Sequence, residues 1–321
     1  MMEGRLVEEG RKMVLVTGAN GFVGRHLAPV LARQGWTVRR AMRRAAEDDH
    51  EGVVAVDTVG PTTDWGAALE GVEAVVHLAA RVHHQHEEHA VRLYRSVNIE
   101  GTLHLARSAL KAGVRKFVFV STVLVHGRSN HGRAPFSEND VLTPKGLYGM
   151  SKAAAEAGLK TLAMGGDMAV TVIRPPLVYG SGAKGNFAML LKAVRLGIPL
   201  PFAAIDNHRA FLSIENLTSF IAWRLSVEAG KFDVFLVADK EQISTPDFIA
   251  RIARAAGVKS LLFPLPIPLL SLLLKTTGRQ DAHDSLLGSL ELDLSKLATI
   301  DWQPPVNLDE GLQRALTASD V

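Results

Sequence analysis

The sequence predicts an α/β fold built on a doubly wound parallel sheet, and two observations lead to this prediction. Short apolar runs recur along the chain: MVLVT, WTVRRA, VVAV, EAVVHLA, KFVFVS and AVTVIR, and later DVFLVA at Asp233–Ala238. Stretches of helical length separate these runs. Strands that helices cover on both faces are continuously apolar, whereas half-exposed strands alternate. The pattern therefore indicates parallel strands with helices on both faces of the sheet.

Composition limits the functional classes. The chain has 321 residues, 47% of them hydrophobic, which is enough for a large core. The formal net charge of +3 is too small to indicate a nucleic-acid partner. The absence of cysteine excludes disulfides, thiolate metal sites and a cysteine nucleophile, and it fits a cytoplasmic protein. The first residues, MMEGRLVEEG, lack the apolar stretch of a signal peptide, so residues 1–11 are expected to be a flexible lead-in.

The most apolar segment runs from Leu261 to Leu274. It is shorter than the roughly 20 residues that a membrane-spanning helix needs, and Pro264, Pro266 and Pro268 interrupt its first half. We therefore expect no stable membrane insertion. A proline-rich turn leading into a buried helix is favoured over a surface that touches the membrane.

A glycine-rich turn follows the first predicted strand. In VLVTGANGFVGRHL, Gly18, Gly21 and Gly24 lead from the strand into a helix. Glycine suits a turn with unusual backbone angles that must approach a pyrophosphate at a helix N-terminus. The expected dinucleotide contacts in this turn are Gly18, Asn20, Gly21, Phe22, Val23 and Gly24.

The end of the second strand bears on the choice of dinucleotide. An acid there would bind the ribose hydroxyls of NAD, but VRRAMRR (Val38–Arg44) contains none, and the next acid is Glu47. Arg43 or Arg44 could instead meet a 2′-phosphate, so NADP is modestly favoured over NAD. The alternatives are that these arginines are solvated, or that one stacks on adenine and accepts either cofactor.

Proton-transfer chemistry is indicated by LYGMSK, where Tyr148 and Lys152 share one face of a helix. A free phenol, with a pKa of about 10, carries protons poorly at neutral pH, and a neighbouring ammonium favours its phenolate. Upstream, Ser121 and Thr122 end a predicted strand. A hydroxyl at that edge of the sheet can hydrogen-bond the same substrate oxygen as Tyr148.

These motifs together resemble the extended short-chain dehydrogenase/reductases of the NAD-dependent epimerase/dehydratase group. The resemblance runs from TGANGFVG, with its G-x-x-G-x-x-G spacing, through HLAA, NIEGT and RPPLVYG to DWQPPVNLDEGL. It implies a Rossmann-type dinucleotide-binding domain at residues 12–178, with a late strand near 233–238, and a smaller C-terminal lobe at 179–321 that mainly binds substrate. The expected partners are a UDP-sugar substrate and a second copy in a homodimer.

The resemblance also assigns roles to individual residues. Thr122, Tyr148 and Lys152 are the expected catalytic residues. Asn98, where a helical pattern starts, would support the geometry of the active site, and Asp57 would lie near the adenine amino group. Further implied cofactor contacts are Leu78, Ala79, Ala80, Asn98, Tyr148, Lys152 and Pro175, with Lys152 holding the cofactor ribose. Arg209, in the position of the family's R-x-F arginine, would pair with the sugar-nucleotide diphosphate, and Asn186 in GAKGNF would contact the nucleotide.

The stretch RVHHQHEEHA contains four histidines, which raises the question of a metal site. A zinc-binding H-E-x-x-H helix spaces its histidines four apart, but His86 and His89 are three apart. The resemblance implies chemistry without a metal, so we expect none. His83, nearest the strand, is the best candidate for a substrate contact, and the other three are expected at a surface or dimer face.

The residues after Ser121 narrow the reaction. Dehydratases of this group have T-D-E there, and nucleotide-sugar decarboxylases keep the glutamate, but this chain has Thr122, Val123 and Leu124. Apolar side chains cannot move protons, so oxidation or reduction at a sugar carbon is expected. The branch most resembled comprises 4-ketoreductases that reduce UDP-4-keto-6-deoxy-N-acetylhexosamine to UDP-N-acetylquinovosamine. The alternatives are a UDP-hexose 4-epimerase and a non-catalytic dinucleotide-binding sensor.

Overall fold

The computed structural model describes residues 12–43, 52–82, 87–276 and 286–317, apart from the side chains of 273–276. The strands, in chain order, are β1 Met13–Thr17, β2 Thr37–Met42, β3 Val53–Ala55, β4 Ala74–His77, β5 Lys116–Val120, β6 Ala169–Arg174, β7 Leu177–Tyr179, β8 Phe211–Ser213 and β9 Phe232–Leu236. The predicted lead-in, residues 1–11, lies outside the described residues.

Seven strands form one sheet in the order β3-β2-β1-β4-β5-β6-β9, and β7 pairs with β8 in a second sheet. The pairings of β1 with β2 and β4, of β2 with β3, and of β4 with β5 are parallel. The side chains of Val14, Leu15 and Val16 in β1 are completely buried, as continuous apolar runs predict. Each of the seven predicted runs overlaps a strand, and the prediction of a doubly wound Rossmann-type fold is confirmed.

Helices alternate with these strands. They are α1 Phe22–Arg33, α2 Gly66–Leu69, α3 Ala90–Tyr94, α4 Thr102–Lys111, α5 Gly146–Met164, α6 Asn186–Arg195, α7 Ile214–Ser226, α8 Thr245–Ala255, α9 Ile267–Thr276, α10 Ser295–Ala298 and α11 Leu308–Thr317. A π-helical segment, Arg95–Gly101, joins α3 to α4 without a break. No helix among the described residues combines the length and the apolarity that crossing a bilayer requires.

The chain divides into two compact units. The first unit comprises the residues up to Val120, Ala154–Thr171 and Arg224–Asp233. The second unit comprises Ser121–Ala153, Val172–Trp223 and the residues from Val234 onward. The predicted domain boundary after residue 178 stays a prediction.

A buried polar network organises the second unit. The hydroxyl of Tyr179 donates to Asp239 Oδ2 at 2.8 Å, while Asp239 Oδ1 accepts from the Ser213 backbone N–H at 3.1 Å and from Asn216 Nδ2 at 2.7 Å. Burial raises the pKa of Asp239, and it also raises that of Tyr179. The network connects β7, β8 and the first turn of α7, and a partnered network of this kind specifies one arrangement of these elements.

Helix α9 departs from the sequence-based expectation. Leu270 is buried, but Leu269 and Leu272 are 52% and 59% exposed. The prediction of a buried helix is therefore wrong for this face of α9. The apolar run of α9 is interrupted by only one hydrophilic side chain before Lys275, that of Ser271, and so few polar positions do not reveal which face of a helix packs.

Candidate functional site

The glycine-rich turn after β1 has a shape that side chains would disrupt. Gly18 has a φ of +66°, and a Cβ there would lie 2.8 Å from the backbone nitrogen of Ala79. A Cβ on Gly24 would lie 2.5 Å from the carbonyl oxygen of Gly18. Glycine at these two positions therefore lets the chain turn tightly and lets α1 begin close to the end of β1.

The N-terminus of α1 offers its amides to an anion. Gly21 is the N-cap residue and provides no side-chain cap, and the first turn contains no acid. Phe22 and Val23 are half-buried, while Asn20 and Gly21 are exposed. Unsatisfied amides and the positive end of the helix dipole make such a terminus a binding site for phosphate groups. The turn therefore fits the pyrophosphate of a dinucleotide.

A buried hydrogen-bonded chain positions the loop after β4. The Thr17 hydroxyl accepts from the backbone N–H groups of Leu78 and Ala79 and lies 2.7 Å from His77 Nδ1. His77 Nε2 lies 3.0 Å from the hydroxyl of Thr102. Because the Thr17 oxygen accepts hydrogen bonds from two amides, the Thr17 hydroxyl donates its own hydrogen bond to Nδ1. His77 therefore carries its proton on Nε2, which donates to the Thr102 hydroxyl. This chain places Leu78–Ala80 next to Gly18, where the sequence predicts cofactor contacts.

Asn98 fixes the residue that follows this loop. Its side-chain oxygen accepts from the Arg81 backbone N–H at 2.7 Å, and its nitrogen donates to the Arg81 carbonyl at 3.1 Å. The expectation that Asn98 starts a helix is wrong, because helical structure begins at Ala90 and Asn98 lies in the π-helical segment. Such segments are frequent at functional sites. Asn98 thus supports the backbone beside the loop after β4.

The arginines at the end of β2 differ from one another in their surroundings. Nη1 of Arg39 donates to the carbonyls of Ala67, Ala68 and Glu70 at the end of α2. Arg39 therefore stabilises that helix end. Arg43 directly follows β2 and is exposed, as is Asp57 after β3, while Arg44 and Glu47 lie outside the described residues.

In the second unit, Thr122 begins the turn after β5. Its side chain is buried, and its oxygen accepts from the Leu124 backbone N–H at 3.2 Å, which caps the 3₁₀ turn Val123–Val125. The Val123 N–H donates to the carbonyl of Pro175 at 2.9 Å. These bonds fix the Thr122 hydroxyl and the buried Pro175 in one local framework.

Helix α5 carries the other two predicted catalytic residues. Tyr148 is half-buried, and Lys152, one turn later, is 1% exposed. A Cβ on Gly149 would lie 2.9 Å from the carbonyl oxygen of Leu124, so a glycine lets the first turn of α5 approach the turn after Thr122. Gly149 was not among the predicted site residues, although a glycine inside LYGMSK is a recognisable signal.

A buried histidine was also missed. Nε2 of His126 lies 3.0 Å from Nη1 of Arg174, and the imidazole stacks on Phe136. Burial and the Arg174 charge lower the pKa of His126 to about 4. Since a guanidinium only donates, Nε2 accepts and the proton lies on Nδ1, which is buried and has no partner among the described residues.

Besides Thr122, two residues predicted to bind substrate are described, Asn186 and Arg209, and both belong to the second unit. Asn186 is exposed and opens α6, beside a groove of about 380 Å³ lined by the 180–183 turn and one side of α6. Arg209 is half-buried and donates from Nη1 to the carbonyl of Gly288. Burial lowers the pKa of Arg209 to about 10.

Most of the histidine run lies outside the residues that the structure describes. His83, His84 and His86 lie outside the described residues, so the substrate contact expected of His83 stays a prediction. His89 is exposed and precedes α3 with a φ of 59°. Among the described residues, no group of three or more histidine and acidic side chains is arranged to hold a metal ion.

Comparisons with known proteins show the family to which the chain is similar. The model of the NAD dependent epimerase/dehydratase family matches residues 14–238. The UDP-glucose 4-epimerase of Vibrio cholerae is 37% identical over 312 residues, covering 96% of this chain and 95% of that protein. The N-acetyl-α-D-glucosaminyl-diphospho-ditrans,octacis-undecaprenol 4-epimerase of Escherichia coli O157:H7 is 28% identical over 320 residues, covering 94% of each.

A solved structure shows the same fold. The UDP-glucuronic acid 4-epimerase of Bacillus cereus, in complex with NAD, superimposes with a TM-score of 0.77 at 21% identity, covering 96% of each chain.

Proposed function

The chain belongs to the NAD-dependent epimerase/dehydratase family, and on that basis we propose that it is an NAD(P)-dependent oxidoreductase acting at C4 of a nucleotide sugar. One observation carries the proposal. The close approach of Gly149 to Leu124 puts the first turn of α5, which carries Tyr148, against the turn that Thr122 caps. This proximity supports the proposal that a phenol and a hydroxyl act on one carbonyl or carbinol oxygen.

The protein groups divide the work as follows. The nicotinamide dinucleotide, when bound, supplies hydride transfer. Tyr148 exchanges a proton with the oxygen on the reacting carbon, and Thr122 hydrogen-bonds and orients that oxygen. Lys152 carries its charge on the same face of α5 as Tyr148 and in a buried position, where a charge acts more strongly than in water. It therefore stabilises the deprotonated phenol.

The favoured net reaction is reduction of UDP-4-keto-6-deoxy-N-acetylhexosamine. Removing water from a sugar needs an additional acid and base, but the two residues after Thr122 are apolar, and Val123 packs in a buried cluster. This excludes an acid-base pair from the place where the family's dehydratases carry one. Reduction needs no group beyond Thr122, Tyr148 and Lys152.

A UDP-hexose 4-epimerase is the second candidate, and the Vibrio cholerae relative favours it. Epimerisation uses the same residues twice, first to remove a proton from the C4 hydroxyl and then to return one after the keto intermediate has rotated. The two candidates differ in net redox change, so one assay separates them.

We assign binding of the nucleotide moiety of the substrate to Arg209 and Asn186. A guanidinium matches phosphate geometry. Burial makes the charge of Arg209 costly, and a diphosphate would compensate it. For the dinucleotide, the absence of an acid in VRRAMRR and the exposure of Arg43 support NADP over NAD. A homodimer and a cytoplasmic location stay predictions.

The test is to incubate purified protein with UDP-glucose, UDP-N-acetylglucosamine or the 4-keto-6-deoxy sugar and to follow absorbance at about 340 nm together with the sugar products. Loss of NAD(P)H in proportion to the keto sugar reduced supports the reductase. Interconversion of C4 epimers without net cofactor change supports the epimerase.

Tyr148→Phe is the critical variant. It should abolish both the reduction and the epimerisation and leave the dinucleotide affinity within a few fold of the wild-type value, because the phenol acts on the reacting oxygen. Near-normal kcat in this variant would refute the assignment of Tyr148.

A further inference from the structure

The second unit exposes a concentration of large apolar side chains. Thirteen large hydrophobic side chains are exposed among the described residues, and eight of them lie at residues 196–198 and 258–272. We call these two segments the apolar strip. The eight are Leu196, Ile198, Val258, Leu261, Phe263, Ile267, Leu269 and Leu272. Exposed apolar side chains that occur singly need no explanation, but a concentration of this size marks an interaction surface.

The two segments of the strip adjoin each other. The Leu200 N–H donates to the Leu261 carbonyl at 2.8 Å, and the Phe263 N–H donates to the Leu200 carbonyl at 3.1 Å. Leu200 and Leu262 pack against the core, so Leu261 and Phe263 point the other way, as alternation in an extended chain requires. Helix α9 forms the end of the 258–272 segment, and it buries Leu270 and exposes Leu269 and Leu272.

The charged residues in the sequence segments that contain the strip are all cations, of which Arg174 is buried and Arg251 pairs with Glu241 and Asp309. Residues 168–205 and 248–280, which include the strip, contain nine of the 36 cations of the chain and none of its 33 acids. The rest of the chain carries 27 cations against the 33 acids. Lys192 and Arg195 occupy the last turn of α6, directly before Leu196, and both are exposed. Lys259, also exposed, precedes Leu261 by two residues.

We propose that the apolar strip docks the protein on an anionic phospholipid surface, with its leucines, isoleucines and phenylalanine among the acyl chains and its cations at the headgroups. An element that is apolar on its exposed face and bordered by cations lies in the interface without crossing it. A second copy is a poorer occupant, because two such faces would bring like charges together. This inference is independent of the reaction proposed above.

The test is cosedimentation of the full-length protein with vesicles. The protein should sediment with phosphatidylcholine vesicles that contain phosphatidylglycerol, sediment weakly with pure phosphatidylcholine, and be released as NaCl rises. The double variant Leu269→Ser with Leu272→Ser should bind about ten-fold less, because two apolar side chains lose their transfer into the bilayer. The matched control, Val141→Ser with Met164→Ser, changes two exposed apolar residues outside the strip and should bind as the wild type does.

Charge is tested separately, in a variant that leaves the apolar side chains intact. Lys259→Glu should lower binding to the anionic vesicles more than five-fold, whereas Lys231→Glu, an exposed lysine outside the strip, should change it far less. Failure to bind phosphatidylglycerol vesicles would overturn the proposal. So would equal binding by the wild type and both strip variants. A change of molar mass by light scattering in the leucine variant, without vesicle binding by the wild type, would assign the strip to contact between copies.

Discussion

Replacing His126 with glutamine should make the free energy of unfolding less sensitive to acid. His126 is buried, accepts from Arg174 and has a folded-state pKa of about 4, against about 6.5 when unfolded. Between these values the unfolded chain binds one more proton than the folded chain, so stability falls as the pH falls. The amide oxygen of glutamine can reach the position of Nε2, so it can still accept from Arg174 without titrating.

The magnitude follows from the two pKa values. Between pH 7.5 and 5 this one group should remove about 2 kcal/mol from the free energy of unfolding, and the loss should level off below about pH 4. Urea unfolding at both pH values measures it: the wild type should lose about 2 kcal/mol more than His126→Gln. His131→Gln, which replaces an exposed histidine of the same unit, is the control and should lose as much as the wild type. Equal losses in the wild type and His126→Gln would refute the reasoning.

Three further predictions concern the candidate site. Gly18→Ala and Gly35→Ala both place a side chain at positive φ, which should lower the free energy of unfolding in urea by about 1–2 kcal/mol in Gly35→Ala and by more in Gly18→Ala. Only the new methyl group of Gly18→Ala also collides with backbone, at Ala79, so only this variant should lose dinucleotide binding, measured by calorimetry. An unchanged affinity would contradict the assignment of the glycine-rich turn to the pyrophosphate. Arg209→Ala should raise the KM for the nucleotide sugar by the equivalent of about 1.5–3 kcal/mol in steady-state kinetics and affect kcat less, whereas an unchanged KM would make Arg209 structural. Arg43→Ala should erase a preference of about ten-fold or more for NADPH and spare activity with NADH; equal weakening of both would remove the assignment to the 2′-phosphate.

The sheet and the family were predictable because their signals are local. Continuous apolar runs with helical spacing identify buried parallel strands, and the glycine turn directly follows the first of them. Membership in the NAD-dependent epimerase/dehydratase family and the prediction of an enzyme are confirmed. The assignments of individual site residues, the substrate and the NADP preference stay predictions.

The contacts that hold the site together were not predictable, because they join residues far apart in sequence. His77 bonds Thr17 and Thr102 across 60 and 25 positions, and nothing in the pattern of β4 distinguishes it from a solvent-facing histidine. Gly149 is required by the carbonyl of Leu124, which only the folded backbone brings near. The exposed face of α9 was not predicted for a different reason: Ser271 is the only hydrophilic side chain between Ile267 and Leu274, so the pattern does not show which leucines face the solvent.

The π-helical segment before α4 constrains the number of residues in this part of the chain. A π turn accommodates one residue more than an α turn, so deleting a single residue from Arg95–Gly101 could restore regular α-helix. Because the wider turn holds the extra residue as a bulge, α3 and α4 would keep nearly the same rotation relative to each other, and the register would change inside the segment itself. Thr102 would still reach His77, but Asn98 would lose its register with Arg81. Relatives of this protein should therefore tolerate substitutions in the segment far better than a change in its number of residues.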